Sequence, residues 1–386
     1  MGVLRLFLAL SVLLGHAHGH GFFGLSFVGA GLAVQTFFMI SGFYMALVLN
    51  EKYNKPGEYW VFLTQRVLRL YPTYLILIGL VIIVDTAVSI ITGHPWGSLM
   101  YWHDYGHLLT PLKVAFMVVE NVIIFGQDLL MLIFVDPNNG AFSFVPGSDT
   151  AVGGSYFLLI AASWTLAVEF SFYVLAPFLV RRPAATQLIL FAFCFLIRAA
   201  YWFAIPYNSG GWTYFTFPPN LCFFMAGSLG YLTYKSYGDR LKAITVSNPW
   251  LFLPFVALAL DYTRYPYSQL FFLLWFPMAF IMIPILFAHT NRSRTDRLIG
   301  ELSYPCYLMH VHVLTFTVPL LHDPHYYWAR GPLSIAITLM LSLLYYLFIE
   351  SKTERFRENL YRKSHPKDFF QPPASRAAET PASSLN

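Results

Sequence analysis

The sequence predicts an all-α membrane protein: a polytopic bundle of about ten transmembrane helices with both termini on the cytoplasmic side. Three observations predict it. Of 386 residues, 57% are hydrophobic and 18% aromatic. Only 11% are charged, whereas soluble domains carry about 25%, and the mean hydropathy is +0.56. Finally, apolar runs long enough to cross a hydrocarbon core, about 20 residues, recur along the chain. The expected organisation is one membrane domain over residues 1–350 and a cytoplasmic polar tail over 351–386. The tail begins with a short amphipathic piece and ends rich in Pro, Ser and Ala, a disordered composition.

In chain order the spans fall at roughly 3–25, 27–49, 71–92, 155–180, 185–206, 214–234, 248–263, 268–289, 300–321 and 332–350. The sixth and ninth contain Gly or Pro, which membrane helices tolerate when neighbours cover the freed backbone groups. With the N-terminus inside, 19 of the 24 Lys and Arg residues lie on cytoplasmic loops or the tail, and only Lys113, Arg264 and Arg330 lie outside. That bias follows the positive-inside rule. It also accounts for the pI of about 8.9 without a nucleic-acid partner.

Residues 113–134 are long enough to span. If they crossed, Arg181 and Arg182 would lie outside and every later loop would invert. They also contain Glu120 and Asp128, which disfavour lipid exposure. The expectation is therefore an interfacial or re-entrant helix on the outer side; an eleventh span is the competing account. The N-terminal apolar run could also be a secretory signal, but the small residues near Ala17 match an A-x-A cleavage site poorly.

Cys194, Cys222 and Cys306 lie in apolar stretches without a CxxC pair, so neither a disulfide framework nor a zinc site is indicated. Ionisable groups within spans are costly and mark functional sites by default. Those singled out are Arg5 and His16 in span one, Glu169 in span four, Arg198 in span five and His310 in span nine, with Glu350 closing span ten. Arg5 and His16 are eleven residues apart. They differ by about 20° around a helix and by about 16 Å along it. One face then carries a permanent cation suited to phosphate near the cytoplasm and a neutral-pH base deeper in the membrane. A snorkelling anchor and a structural histidine are the competing accounts.

Glu169 is expected at similar depth to His16, where a carboxylate–imidazole contact could orient the ring; a buried structural carboxylate is the alternative. Arg66 and Arg69 share a helical face and form a candidate phosphate clamp or an ordinary anchor pair. Ser41 and Gly42 in the second span permit close approach of a helix or a ligand chain. His16, His18 and His20 form a conceivable metal set, but no local carboxylate or Cys accompanies them, and no metal is expected.

Five segments occur in a characteristic order: Arg5-x10-His16, Phe37-Phe38-x-x-Ser41-Gly42, Arg66-x-x-Arg69, the run Trp164-Thr-Leu-x-x-Glu169-x-x-Phe172-Tyr173, and Ser303-Tyr304-x-x-Tyr307-Leu-x-His310. Together they resemble the acyltransferase-3 family of integral membrane O-acyltransferases. The resemblance covers about residues 3–350. It implies an enzyme of the bacterial inner membrane that takes an acyl group, by default acetyl, from cytoplasmic acyl-CoA as co-substrate. The acceptor implied is a hydroxyl on a surface polysaccharide, glycolipid or glycoside. It further implies that His16 is catalytic, with Glu169 in support, and that Arg5, Arg66, Arg69, Ser41 and Gly42 serve the acyl-CoA side. Trp164, Tyr173 and His310 are possible supporting residues. Some relatives carry an additional SGNH hydrolase-like domain. No such stretch follows span ten, so the membrane domain is expected to complete the transfer alone or pass the group to a separate protein. The alternative is a proton-coupled transporter or flippase of a lipid-linked sugar. The arginine cluster argues against that, because it suits CoA and has no clear transport role.

Overall fold

The computed structural model describes residues 1–17, 22–146, 149–205, 209–261 and 269–364. Helices dominate: α1 (Gly2–His16), α2 (Gly29–Glu51), α3 (Tyr59–Thr92), α4 (Leu99–Tyr105), α5 (Pro111–Val122), α6 (Trp164–Leu179), α7 (Ala184–Ala204), α8 (Ser209–Phe215), α9 (Phe217–Ser247), α10 (Leu253–Asp261), α11 (Gln269–Thr290), α12 (Arg294–Leu320), α13 (Tyr327–Tyr345) and α14 (Ser351–Ser364). Six described helical stretches are long and apolar enough to cross a membrane: 29–51, 59–92, 161–179, 184–204, 271–290 and 324–361. The protein is a multi-pass, all-α membrane bundle.

The remaining long helices carry polar ends. In α9 Lys235, Asp239, Arg240 and Lys242 follow the apolar segment, and in α12 Arg294, Asp296, Arg297 and Glu301 precede it. This explains where the helices differ from the sequence expectation. An apolar window stops at the first charges, whereas a helix can continue into the aqueous boundary. Thus α3 starts at Tyr59 rather than 71 and takes Arg66 and Arg69 into its body. The first helix differs in the opposite direction. It ends at His16, not 25, where the sequence turns to alternating His and Gly, poor helix formers.

The core is built around α2, most of which is buried, packed against α9, α1 and α6. Gly42 makes the α2–α9 approach possible. A Cβ there would collide with the Phe224 carbonyl, and one on Gly227 would collide with the Met39 carbonyl. The two glycines therefore let the helices meet backbone to backbone. Phe224 stacks between Phe38 at 4.9 Å and Phe172 at 4.2 Å, joining α2, α9 and α6. By contrast, the apolar window of α7 is only 11% buried, as expected for a helix facing lipid.

Hydrogen bonds gather the basic loops at one end of the bundle. Asn50 Nδ2 donates to the Val180 carbonyl at 3.5 Å, and Arg181 Nε donates to the Leu49 carbonyl at 3.3 Å. Tyr231 donates to Glu51 at 3.3 Å, and Asn291 donates to the Tyr234 hydroxyl at 3.2 Å. The amides of Gly2 and Val3 donate to the Asp296 carboxylate at 2.8 and 3.0 Å, so a neighbouring helix supplies the acceptor for the otherwise orphaned first turn of α1. Arg181 therefore lies at the same end as Lys52 and the start of α1.

The chain between α3 and α6 occupies the opposite end. There α5, only 12 residues long, spans about 18 Å, short of the roughly 30 Å hydrocarbon core. A small antiparallel sheet of strands β1 (Phe134–Val135), β2 (Phe142–Ser143) and β3 (Val152–Gly153), in the order β2-β1-β3, packs beside it around Met117, Leu130, Val135 and Phe157. Asn121 fastens this cap, donating to the Phe157 carbonyl at 2.9 Å and accepting from Leu159 N at 2.7 Å. Tyr74 of α3 donates to the Asn121 carbonyl at 2.8 Å.

The start of the expected polar tail is part of this packing. Glu350 ends a π-helical turn, Tyr346–Glu350, that joins α13 to α14, and α14 lies against α3. The expected disorder at the tail's end falls outside the described residues, as do His18 and His20.

Candidate active site

A cavity of about 410 Å³ opens at the basic end of the bundle and is lined by Arg5, Ser41, Arg66, Arg69, Glu169 and Tyr173, with Tyr44, Thr165, Glu301, Tyr304 and Tyr307 among the other walls. Five helices contribute these groups. The eleven-residue spacing in α1 turns Arg5 toward α12, and the i, i+3 spacing in α3 places both Arg66 and Arg69 on the cavity side.

The three arginines differ in their partners. Arg69 Nη2 lies 3.8 Å from Glu301 Oε2. Arg66 is held by rings, 5.5 Å from Phe62 and 5.9 Å from Tyr173, and its Nε is buried without a hydrogen-bond partner. A buried guanidinium N–H left unbonded is costly, and an anion entering the cavity would satisfy it. Arg5 is half-buried at the wall.

Glu169 sits in a compact hydrogen-bond set. Its Oε1 accepts from Ser41 Oγ at 2.6 Å and from the Tyr173 hydroxyl at 2.5 Å. Tyr173 is one helical turn beyond Glu169, and Ser41 reaches across from α2. These are the carboxylate's partners, so the contact between Glu169 and His16 expected from the sequence is not formed. That expectation equated depth with adjacency, but α1 packs on α12 and α2, whereas Glu169 faces α2 and the cavity.

His16 is exposed at the end of α1 and lies outside the cavity walls. Its ring stacks on His310 with centroids 5.4 Å apart and planes inclined at 28°. His310 is fully buried. Its Nδ1 lies 2.5 Å from the Tyr307 carbonyl, and a carbonyl only accepts, so Nδ1 carries the proton. Nε2 is then the bare nitrogen, and it is buried without a partner. Tyr307 both lines the cavity and packs on His310, with ring centroids 5.6 Å apart. The histidine pair therefore stands directly behind the cavity wall.

The other singled-out residues are structural in their contacts. Gly42 serves the α2–α9 contact rather than the cavity wall. Trp164 opens α6, packed on Tyr214 and Phe215 at 5.1 and 4.9 Å. Arg198 donates to the Thr213 carbonyl at 2.8 Å and lies over Phe223 at 5.1 Å. Among the described residues, no group of three or more His, Cys, Asp or Glu side chains could hold a metal ion.

Several ionisable residues were not anticipated, one of them at the site. Glu301 pairs with Arg69, and its signal was a carboxylate one residue inside the expected ninth span. Asp85 and His312 are further ionisable groups within apolar stretches. Asp85 accepts from Ser98 N and Oγ at 2.9 and 2.6 Å, and His312 Nδ1 is buried without a hydrogen-bond partner.

A family model described as an acyltransferase domain, acyltransferase-3, matches residues 1–347. No curated protein and no solved structure matches the chain.

Proposed function

The chain belongs to the acyltransferase-3 family of membrane acyltransferases, and from that premise we propose that it moves an acyl group, by default acetyl, from cytoplasmic acyl-CoA to a hydroxyl of a carbohydrate acceptor. A surface polysaccharide, a glycolipid or a glycoside is the acceptor class, and the bacterial inner membrane is the site of action. The observation that carries the reading is the cavity at the basic end of the bundle. Arg5, Arg66 and Arg69 line it together with the Ser41–Glu169–Tyr173 set. Forked guanidiniums suit the diphosphate of CoA, and Arg66 Nε lacks a protein partner. The thioester arm then runs inward, along the wall formed by Tyr304 and Tyr307.

In the proposed transfer the acceptor oxygen attacks the thioester carbonyl. His16 takes the hydroxyl proton as the C–O bond forms. The tetrahedral intermediate collapses, the C–S bond breaks, and the CoA thiolate leaves with the proton that His16 took, which returns His16 to its neutral form. His310, stacked behind His16, holds the ring in place. Glu169 with its two hydroxyl donors shapes the inner cavity. A second reading follows from the same contacts: Glu169, which lines the cavity where His16 does not, is itself the base.

The test is acyl transfer in membranes from labelled acetyl-CoA. Arg66→Ala and Arg69→Ala should each raise the donor KM, with charge-assisted contacts contributing roughly 1.5–3 kcal/mol apiece. Lys replacements should recover only part, because the fork is lost. Unchanged donor affinity in the double variant would reject the donor assignment.

A further inference from the structure

The basic end holds more cationic groups than those lining the cavity. Lys52, which caps α2, lies 3.9 Å above the Tyr361 ring and 5.3 Å from that of Tyr53. Tyr361 belongs to α14, is buried, and meets Tyr53 edge-on at 5.7 Å. One turn earlier on the same face of α14 stands Arg357, half-buried, with its backbone carbonyl accepting from Gln65 Nε2 at 3.5 Å. Burial lowers the Lys52 ammonium pKa, and the positive charges of Arg66 and Arg357 lower it further, against the opposing pull of Glu358. Lys52, Arg66 and Arg357 thus repel one another, while Glu354 and Glu301 act on Arg357 in the opposite sense. Among the described residues, none of the three has a carboxylate within 4.0 Å. Aromatic rings, not counter-ions, hold Lys52 and Arg66 in place.

Like charges crowded at a partly desolvated surface repel, and a bound anion relieves that repulsion. The placement of the group says which anion. Arg66 faces the cavity, whereas Lys52 and Arg357 lie outside its wall, so a ligand meeting all three must carry anionic charge in two places. A diphosphate in the cavity is one. The other must sit on the cytoplasmic side, under α14. Coenzyme A has this arrangement, with a 3′-phosphate on the ribose beyond the diphosphate.

Resting on the donor reading above, we propose that α14 is a phosphate clamp in which Arg357 and Lys52 bind the 3′-phosphate of acyl-CoA at the mouth of the cavity. The π-helical turn before α14 changes the helical phase and brings Arg357 and Tyr361 to face the α2–α3 loop. Tyr361, wedged on Tyr53 and Lys52, fixes the clamp. The clamp also lets the enzyme distinguish CoA from adenosine diphosphates that lack the 3′-phosphate.

The experiment measures binding of acetyl-CoA and acetyl-dephospho-CoA to the full chain in detergent or nanodiscs. The wild type should bind acetyl-CoA roughly 10- to 100-fold more tightly, the scale of one or two charge-assisted contacts. Arg357→Ala and Lys52→Gln should lower acetyl-CoA affinity toward that of the dephospho form while leaving dephospho binding unchanged. Arg357→Lys should retain part of the preference. Unchanged dephospho binding is the control that the variant is folded. A wild type that binds both donors equally overturns the clamp, and so does an Arg357→Ala variant that weakens both donors by the same factor. A wild type that binds neither donor overturns the donor reading, and the clamp with it.

Discussion

The imidazole rings of His16 and His310 stack at 5.4 Å across the α1–α12 contact. The pair is level in the bundle: His16 ends α1, and His310 is in the middle of α12. His16 is the last residue of its helix and is exposed, and the fully buried His310 packs against it. Because His310 Nδ1 is committed to the Tyr307 carbonyl, the ring is fixed in one tautomer. With Nε2 as the only open nitrogen, it is an acceptor toward whatever approaches.

This arrangement separates two roles. His16→Gln keeps a polar side chain of similar reach but removes the proposed base, so transfer should fall about 10²–10⁴-fold while binding of the proposed acyl-CoA donor is retained. His310→Gln should reduce turnover less and should shift the pH profile, because it alters the partner of the proposed base rather than that base. The measurement is initial rate against pH with protein level and donor binding held as controls. Near-normal turnover in His16→Gln would remove His16 from the chemistry.

Glu169 invites the complementary test. Two hydroxyls donate to one of its oxygens, Ser41 at 2.6 Å and Tyr173 at 2.5 Å. Ser41→Ala and Tyr173→Phe each remove one donor and should each cost about 0.5–3 kcal/mol in stability, with modest loss of activity. Glu169→Gln preserves an acceptor oxygen and should lose less activity than His16→Gln. If instead Glu169→Gln is the more damaging, with donor affinity intact, the carboxylate is the base and His16 a supporting group.

Much of this was legible in the sequence, for identifiable reasons. Charge in an apolar segment is conspicuous, so Arg5, Arg66, Arg69 and Glu169 stood out, and the cavity brings all four together. Their pairings were not legible. Helix adjacency depends on which faces pack, and nothing in the local pattern says that Glu169 meets Ser41 rather than His16. Gly42 reads as a point of close approach, but only the packed helices reveal that the neighbour is the Phe224 backbone. Asp85 escaped notice because a single carboxylate barely lowers the hydropathy of a long run such as Leu77–Val84. The role of α14 escaped for the opposite reason: a charged segment beyond the last apolar run looks like a solvated tail until Tyr361 is seen buried.

The placement of the basic loops makes a topological prediction. Arg181 binds the carbonyls of Leu49 and Tyr53, so the α2–α3 and α6–α7 loops share a side. Single cysteines at exposed positions 55 and 182 should react with membrane-impermeant thiol reagents only after the cytoplasmic face is opened. A cysteine at exposed position 139 should react from outside in intact cells. Labelling of positions 55 and 182 from opposite sides would overturn the arrangement and imply that residues 113–134 cross.

The cap at the opposite end should respond to pH in a direction its carboxylates dictate. Burial, helped by the charge of Asp128, raises the Glu120 carboxyl to about 7. Burial raises Asp128 to about 6, against the opposing hydrogen bond from Phe217 N at 3.3 Å. Both values lie above those of an unfolded chain, so the folded cap binds protons more tightly than the unfolded one. By linkage, the associated stability is fully present below the unfolded values near 4 and is lost as pH rises through 6 to 7. Glu120 Oε2 is also buried without a partner, which favours the protonated carboxyl further. Amide exchange over residues 111–163, corrected for the intrinsic pH dependence, should therefore show greater protection at pH 5 than at pH 8. Glu120→Gln, neutral at both values, should reduce that difference to the part due to Asp128 and exceed the wild type at pH 8. Protection that rises with pH in the wild type would mean that Glu120 is stabilised as the anion, and the cap would then need a cationic partner for it.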